Sequence, residues 1–200
     1  MPRAKLRTPE LRHHLLSVAV DLLAREGVAG FTARRIAREA ETSTPAVYEL
    51  FGDKSGVVRE VFFEGFRLLR RELGSAPELS DLRAELTELL RLYRSFMREN
   101  PVLSEVMFSR PFTDFQPGPS ELEASRSVRI FIVERVSRCI DAGVLEGDAT
   151  DIAHVLVSLV QGLAAAENAG RLGTSAESID RRWALAVGAA LDGLSRKAAG

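Results

Sequence analysis

The chain has little cysteine, few aromatic residues and no long uninterrupted hydrophobic run. Its one cysteine, Cys139, excludes an internal disulfide framework and is typical of a reducing compartment. We interpret Cys139 as a semi-buried structural thiol in an amphipathic helix rather than a redox sensor. No apolar run reaches the roughly 18 residues that a membrane span needs, and the N-terminus MPRAKLRTPE lacks a signal-peptide core. The sequence therefore predicts a cytoplasmic protein without a membrane partner.

Signatures of catalysis and of metal binding are also scarce. The sequence contains no GxSxG, no glycine-rich phosphate loop and no CxxC. Asp151 and His154 have the i, i+3 spacing that di-iron helical bundles use, but such a bundle needs two of these pairs and two further carboxylates. The other histidines, His13 and His14, are far away along the chain. We therefore expect no enzymatic activity, no metal site and no cofactor.

What the chain does have is charge, unevenly distributed. With 46% hydrophobic and 28% charged residues it is composed like an ordinary globular protein, and its net charge is −1. Residues 1–40 hold eight basic and four acidic residues, which leaves the other 160 residues with a net charge of −5. A basic end on a mildly acidic body is expected when only that end contacts phosphate. The basic residues Arg3, Lys5 and Arg7 fit either a DNA minor-groove arm or a plain basic tail.

Apolar residues recur at helical spacing through nearly the whole chain, and no segment alternates with a period of two. The predicted fold class is therefore all-α. Thr8 and Pro9 predict the start of a first helix that stops at Gly27. After two short helices, the periodicity predicts longer ones beginning near Asp53 or Ser55 and ending at 74, and then over 81–99, 102–108, 121–142, 149–170 and 175–197. The change from short to long helices places a domain boundary near residue 52.

The segment Thr32–Lys54 predicts the two short helices, separated by a turn at 41–43. Thr32 is a good N-cap for the first, and Thr44 for the second, with Pro45 at its first helical position. Val47 and Phe51, four residues apart, can anchor the second helix to a core. Five residues are left facing outward: Thr44, Pro45, Ala46, Tyr48 and Glu49. A helix held from behind, with its N-terminal residues exposed, is what a reader of the DNA major groove needs.

Over residues 9–60 the sequence resembles the tetracycline-repressor (TetR) family of bacterial transcription regulators. The resemblance rests on Gly27, Phe31-Thr32, Ile36-Ala37, Ser43, Val47-Tyr48, Phe51 and Lys54. It implies an all-α homodimer of about nine helices per subunit. An N-terminal three-helix helix-turn-helix DNA-binding domain, 1–52, would be followed by a C-terminal helical bundle, 53–200, for ligand binding and dimerisation. The implied function is a sequence-specific DNA-binding regulator, more often a repressor that a small, largely apolar ligand releases from a palindromic operator than an activator.

The resemblance assigns roles to individual residues of the helix-turn-helix. It implies that Thr32, Tyr48 and Lys54 contact phosphate and that Arg34 contacts phosphate or a base edge. The bases would be faced by Thr44, Pro45 and Ala46. Arg34 and Arg35, in the first turn of a helix, predict an external anion, although both could belong to a solvated charge run. Tyr48 could instead be a half-buried residue that packs its ring.

Three positions depart from the family pattern. Glu41 replaces a glycine that is common in the turn, so the turn must avoid a left-handed backbone or tolerate strain. Leu50 stands where a phosphate-contacting histidine is common. Glu49 brings a carboxylate near DNA, where it would accept from a cytosine amino group, pair with an arginine or repel phosphate. Because of these departures, the operator sequence cannot be inferred from the family.

The effector and dimer surfaces are predicted from side-chain composition. Ten residues are candidates for binding an unknown small-molecule effector: Phe62, Phe66, Tyr93, Phe96, Met97, Met107, Phe108, Phe131, Gln161 and Asn168. Most of them could equally be plain core. Glu167 is a further candidate for a polar contact. Small residues on the last two helices predict a homodimer seam there, and intramolecular packing is the alternative. The alternative function is a ligand-binding helical protein or enzyme without DNA binding, or a ligand-dependent activator.

Overall fold

A computed structural model describes residues 8–108 and 118–195, apart from the side chains of Ser120 and Glu121. Across these residues the chain forms nine α-helices and no strand, which confirms the all-α prediction. In chain order the helices are α1 (Pro9–Gly30), α2 (Ala33–Glu39), α3 (Thr44–Phe51), α4 (Lys54–Gly74), α5 (Leu82–Glu99), α6 (Pro101–Phe108), α7 (Pro119–Asp141), α8 (Ala149–Asn168) and α9 (Ala176–Leu194). The basic segment 3–7, the proline-rich stretch 109–117 and residues 196–200 lie outside the described part.

Helix ends follow the capping chemistry of the sequence, with one correction. The side chains of Thr8 and Thr32 accept hydrogen bonds from the first turns of α1 and α2, as predicted. The cap of α3 is Ser43, not Thr44, because the Ser43 hydroxyl accepts from the backbone N–H of Ala46 and Thr44 is already helical. The regular helix α1 breaks at Gly27, whose φ of 65° only glycine adopts readily.

The chain divides into two compact units, and the division falls inside α4. The first unit comprises Met1–Arg67 and Asn100–Ala124, and the second comprises Leu68–Glu99 and Ser125–Gly200. In the first unit α1 packs against both α2 and α6, so α6 groups with the N-terminal helices. These two units are distinguished only by how compactly each part of the chain packs. The functional boundary at residue 52 is a separate question and stays a prediction.

The first unit has an apolar centre that holds α1, α2 and α3 together. Leu15, Leu22, Ile36 and Val47 are fully buried. Each such side chain contributes about 1.5–3 kcal/mol through burial. Gly65 on α4 is also buried, and an added Cβ there would overlap Met107 of α6. This contact shows that α4 and α6 approach closely within the unit.

The second unit packs α8 against both α5 and α9. By length and composition alone α8 is apolar enough to cross a membrane, a test that the core helix of a soluble protein also passes. Only 28% of its apolar window is buried. One face of α8 packs on α5 and α9, while Val155 and Gly162 are exposed on another. Its apolar character therefore reflects two apolar faces, of which the described chain covers one.

Cys139 is fully buried on α7 rather than semi-buried. Its Sγ lies 3.5 Å from the carbonyl oxygen of Leu82. Burial raises the pKa of the thiol, and the nearby Glu85 carboxylate raises it further. A buried thiol with a raised pKa is a poor nucleophile, as expected of a structural cysteine.

Candidate nucleic-acid interface and ligand-binding residues

Helix α3 presents one face to the protein and another to solvent. Val47 and Phe51 are buried, as the spacing predicted. Tyr48 is 45% exposed, and Pro45 and Glu49 are also exposed. The remaining predicted surface residues, Thr44 and Ala46, are half-buried. The helix is therefore anchored from behind, with its N-terminal turns accessible to a partner.

The preceding helix α2 adds polar groups beside α3. Thr32 and Arg34 are exposed. The Thr32 hydroxyl accepts from the backbone N–H of Arg35 at 3.3 Å, which leaves its own hydrogen to donate to an external acceptor. Because α2 and α3 pack directly together, their exposed polar residues share one region of the first unit.

Arg35 departs from the expectation that it serves an external anion. Both of its terminal nitrogens pair with the two carboxylate oxygens of Glu26 on α1. The physical reason is helical geometry, since consecutive residues lie about 100° apart around a helix. Arg34 therefore faces solvent, while Arg35 faces α1. The Glu26 carboxylate already meets the positive charge of Arg35 within the protein.

The turn between α2 and α3 tolerates strain at Glu41. Its φ is 51°, the one positive φ of a non-glycine residue in the described chain. A left-handed residue with a side chain costs roughly 1–2 kcal/mol. The backbone N–H of Thr42 donates to the Ala37 carbonyl at 2.8 Å, and this hydrogen bond closes the end of α2. Of the two outcomes that the sequence allowed, the structure shows the strained one.

Lys54 is the first residue of α4 and is exposed. The side chain of Asp53 accepts from the backbone N–H of Gly56 at 2.7 Å and so caps the helix. Gly56 is buried, and an added Cβ would overlap the Phe51 carbonyl. The end of α3 and the start of α4 therefore meet too closely for any side chain at Gly56.

Several basic residues near the N-terminus are used inside the protein. Besides Arg35, Arg25 pairs with Glu39 and Arg12 pairs with Glu60. These pairs join α1 to α2 and to α4. Glu26 and Glu39 are already among the four acidic residues counted in 1–40, so only the Arg12–Glu60 pair reduces the excess of positive charge there. The exposed Arg34 and Arg38 remain on the solvent side of α2.

Four of the ten effector candidates pack together in the first unit. The rings of Phe62 and Phe66 lie 4.9 Å apart, and Phe66 meets Phe108 edge-on at 5.7 Å. Phe62, Phe66 and Met107 are buried, and Phe108 is half-buried. These four residues form a mainly aromatic cluster between α4 and α6.

The other six candidates belong to the second unit. Tyr93, Phe96, Met97 and Phe131 are buried. Gln161 donates to the Tyr93 hydroxyl at 2.8 Å, and Asn168 donates to the Met97 carbonyl at 3.1 Å while remaining exposed. Burial raises the pKa of Tyr93 well above its ordinary value, and the Gln161 hydrogen bond offsets only part of that rise.

Phe131 contacts guanidinium groups rather than an apolar pocket alone. The guanidinium carbon of Arg70 lies 3.7 Å from the ring centroid and that of Arg135 lies 4.1 Å from it. Among the described side chains, no group of three or more His, Cys, Asp or Glu residues could hold a metal ion. The ten candidates thus form two sets, one in each compact unit.

A buried ionic network in the second unit was missed by the reasoning from sequence. Glu167 accepts two hydrogen bonds from Arg94, at 2.8 and 3.0 Å, and one from the Trp183 indole at 3.1 Å. Arg98 pairs with the same carboxylate at 2.9 Å, and Arg94 also pairs with Asp180. This network occupies Glu167, which the sequence offered as a polar contact for an effector. The sequence did offer one signal of this network, because Arg94 is a charged residue on an otherwise apolar face of α5.

Comparison with known proteins identifies the family. Residues 15–61 match the family described as "Bacterial regulatory proteins, tetR family", and residues 86–190 match "Tetracyclin repressor-like, C-terminal domain". HbdR, an HTH-type transcriptional regulator of Aromatoleum sp. strain CIB, is 41% identical over 49 residues, which cover 24% of this chain and 21% of that protein. The match thus spans about a fifth of the length of that relative.

Solved structures share the fold over nearly the whole chain. A protein of unknown function from Rhodococcus sp. RHA1 is 27% identical, with a TM-score of 0.82 over 98% of this chain and 100% of that one. A tetR-family regulatory protein, also from Rhodococcus RHA1, is 18% identical, with a TM-score of 0.70 over 96% and 100% of the two chains. Since the C-terminal family match alone covers more than half of the sequence, the chain belongs to the tetracycline-repressor family of bacterial regulatory proteins.

Proposed function

We propose that the protein is a non-enzymatic, homodimeric regulator that binds a palindromic DNA operator and represses transcription until a small, largely apolar ligand releases it. The observation that carries the proposal is the solvent-facing side of α3, where Pro45, Tyr48 and Glu49 are exposed, backed by the buried Val47 and Phe51. We assign DNA binding to residues 1–52 and ligand binding with dimerisation to residues 53–200. Since its partner is DNA, we place the protein in the cytoplasm.

Within the DNA-binding surface, we assign positioning and reading to different residues. Thr32, Arg34, Tyr48 and Lys54 would contact phosphates, because hydroxyl and cationic groups there are exposed. Thr44, Pro45 and Ala46 would face base edges from the first turn of α3. Glu49 would lie beside them as an acceptor for a cytosine amino group. Arg35 would act indirectly, by holding α2 to α1 through Glu26.

Dimerisation is supported by the α8–α9 face, which we define by Val155, Gly162, Leu185 and Ala189. All four residues are exposed, Leu185 to 71% and Val155 to 53%. Large exposed apolar side chains beside small ones suit close packing against a second helix pair. A two-fold dimer would place its two α3 helices about 34–36 Å apart, or a multiple of that, on the operator.

Release by a ligand follows from linkage. A ligand lowers DNA affinity only by the difference between its affinities for the two protein shapes. The aromatic cluster of Phe62, Phe66 and Phe108 and the buried pair of Tyr93 and Gln161 are the residues we assign to that site. In either place the ligand would be mainly apolar, since the first set consists of phenylalanine rings in contact and the Tyr93 hydroxyl already accepts from Gln161.

The test is a fluorescence anisotropy titration of the ligand-free protein with DNA from upstream of its own gene, over a series of salt concentrations. We expect tight binding to one palindromic site, weakening steeply with salt because phosphate contacts release counterions. Tyr48→Phe and Lys54→Ala should weaken every DNA sequence about equally and flatten the salt dependence. Thr44→Ala should instead change which operator is preferred.

The outcomes separate the alternatives. A ligand-free protein that shows no salt-sensitive binding to this DNA would favour a helical ligand-binding protein or enzyme. Binding that appears only after an effector is added would favour a ligand-dependent activator. A changed base preference in Tyr48→Phe would contradict the phosphate assignment of that residue alone.

A further inference from the structure

Arg12 on α1 contacts both the end of the proposed recognition helix and the helix that follows it. Its Nη1 donates to the Leu50 carbonyl at 2.6 Å, and its Nη2 lies 2.5 Å from Glu60 Oε1 on α4. Its guanidinium carbon lies 4.9 Å from the centroid of the Phe51 ring. Leu50 and Phe51 are the last two residues of α3. One side chain therefore contacts α3 through two residues and α4 through a third.

The chemistry of these contacts suits the C-terminal end of a helix. The last carbonyls of an α-helix have no partner within the helix, and a cation nearby interacts favourably with the helix dipole. Helix α3 ends at Phe51 and is followed by Gly52, whose φ is 82°, so the Leu50 carbonyl needs a donor from elsewhere. A planar guanidinium can donate to two acceptors and stack on an aromatic ring at once, which a lysine cannot do.

We propose that Arg12 is a positioning residue for DNA recognition, which fixes α3 against α1 and α4, and that Glu60 holds its guanidinium in place. The inference rests on the proposed DNA binding. Arg12 acts from the C-terminal end of α3, opposite the N-terminal turn that would face bases. Contacts with base edges depend on geometry, whereas the attraction of a basic surface to phosphate does not. Loosening the end of α3 should therefore reduce selectivity more than general DNA affinity.

Two other roles for Arg12 make different predictions. A direct phosphate contact would weaken all DNA sequences equally and lower the slope of log K against log salt by about 0.9. A role in folding alone would lower the unfolding midpoint and leave the affinity of the folded protein for each DNA unchanged. The ratio of operator to scrambled-DNA affinity, measured together with the salt slope, separates all three roles.

The experiment compares Arg12→Met, Arg12→Lys and Glu60→Gln with the wild type, using the operator and a scrambled duplex of equal composition. All titrations are run below the temperature at which circular dichroism shows unfolding of any variant. Arg67→Met is the matched control, because the carboxylate partner of Arg67 is Glu64, on the same helix and three residues away. Its loss leaves the end of α3 untouched.

Arg12→Met should lower the operator-to-scrambled ratio by about tenfold, as expected for one hydrogen bond to a charged group. The salt slope should stay at the wild-type value, and Arg12→Lys should keep part of the ratio. Glu60→Gln should lower the operator-to-scrambled ratio less. In the double variant with Arg12→Met it should cause no further loss of that ratio. The Arg67→Met control should bind like the wild type. Should Arg12→Met fail to fold, Arg12→Lys and Glu60→Gln still test the proposal.

An unchanged ratio in folded Arg12 and Glu60 variants would overturn the inference while leaving the proposed function intact. An equal loss on both DNAs with a reduced salt slope would also overturn it, and would make Arg12 a phosphate contact. A wild-type protein that binds neither duplex overturns the proposed function first, and the positioning role with it.

Discussion

The surface formed by α2 and α3 and the α8–α9 face expose opposite chemistry. On α3 the exposed residues include Tyr48 and Glu49, and their apolar neighbours Val47 and Phe51 are buried. On the α8–α9 face the exposed side chains Val155 and Leu185 are themselves apolar. A polar surface remains hydrated until it meets a charged partner, whereas exposed apolar area is stabilised when another apolar surface covers it. The two surfaces therefore suit different partners, nucleic acid for one and a second subunit for the other.

The strongest way to break this comparison is Leu185→Glu, on the α8–α9 face. In a two-fold interface the substitution occurs twice, and each copy would bury an unpaired charge. We expect a monomer in sedimentation velocity at micromolar concentration. A monomer would present only one α3 helix to the palindromic operator, so operator affinity should fall by about 10²–10⁴-fold.

Ile130→Glu is the control for that substitution, because Ile130 is also a helical, exposed and apolar residue but lies on α7. It should leave both the assembly state and the operator affinity unchanged. A Leu185→Glu protein that sediments as a dimer would mean that the α8–α9 face is not the interface.

The ion pairs of the two regions also differ. In the helix-turn-helix region the Arg25–Glu39 pair lies on the surface, with 59% of the Arg25 side chain exposed. In the second unit the Glu167 side chain is only 9% exposed and its partner Arg94 is 11% exposed. Exposed pairs contribute at most about 1 kcal/mol, whereas removing one partner of a buried pair costs about 3–5 kcal/mol. Losing an ion pair should therefore lower the free energy of unfolding more in the second unit than in the helix-turn-helix region.

Arg94→Met tests that difference directly. It leaves the Glu167 carboxylate buried, with fewer donors, and should lower the free energy of unfolding by about 3–5 kcal/mol. Arg25→Met is the matched control and should lower it by less than about 1 kcal/mol. Urea unfolding followed by circular dichroism, at one fixed protein concentration, measures both. Equal losses in the two variants would show that the second-unit network is no more protected from water than the surface pair.

Local features of the fold were accessible from the sequence, because they depend on neighbouring residues. The caps at Thr8 and Thr32 and the anchoring role of Val47 and Phe51 all follow from spacings of a few residues. The misplaced cap of α3 is a shift by one residue between two hydroxyl side chains, Ser43 and Thr44, both of which can cap a helix, serine being the more favoured.

Features that the sequence did not reveal depend on distant partners. Arg94 and Glu167 are 73 residues apart, and Arg12 and Leu50 are 38 residues apart. The sequence counts such charges but does not say which of them meet, because tertiary packing selects the pairs. For the same reason Arg35 was assigned to an external anion although Glu26 lies beside it. The predicted DNA contacts follow local exposure, whereas the predicted effector contacts required knowledge of long-range packing.

The smallest expected effect concerns the buried hydroxyl of Tyr93, in contrast to the exposed one of Tyr48. Burial raises the pKa of Tyr93, so the folded protein keeps this proton at a pH where the unfolded chain, with a pKa of about 10, has lost it. Stability from this group is therefore fully present below about pH 10 and is lost as the pH rises further. The decline should approach about 1.4 kcal/mol per pH unit.

Tyr93→Phe should remove that decline and cost about 1 kcal/mol at pH 7, because Gln161 loses its acceptor. Tyr48→Phe is the natural control, since these are the two tyrosines of the chain, and it should retain the decline. The raised pKa of Cys139 adds an alkaline loss that is common to both variants, so their difference isolates Tyr93. Urea unfolding between pH 7 and 11 provides the measurement. Equal declines in Tyr93→Phe and Tyr48→Phe would mean that solvent reaches the Tyr93 hydroxyl in the wild type, and would strengthen Tyr93 and Gln161 as polar contacts for the effector.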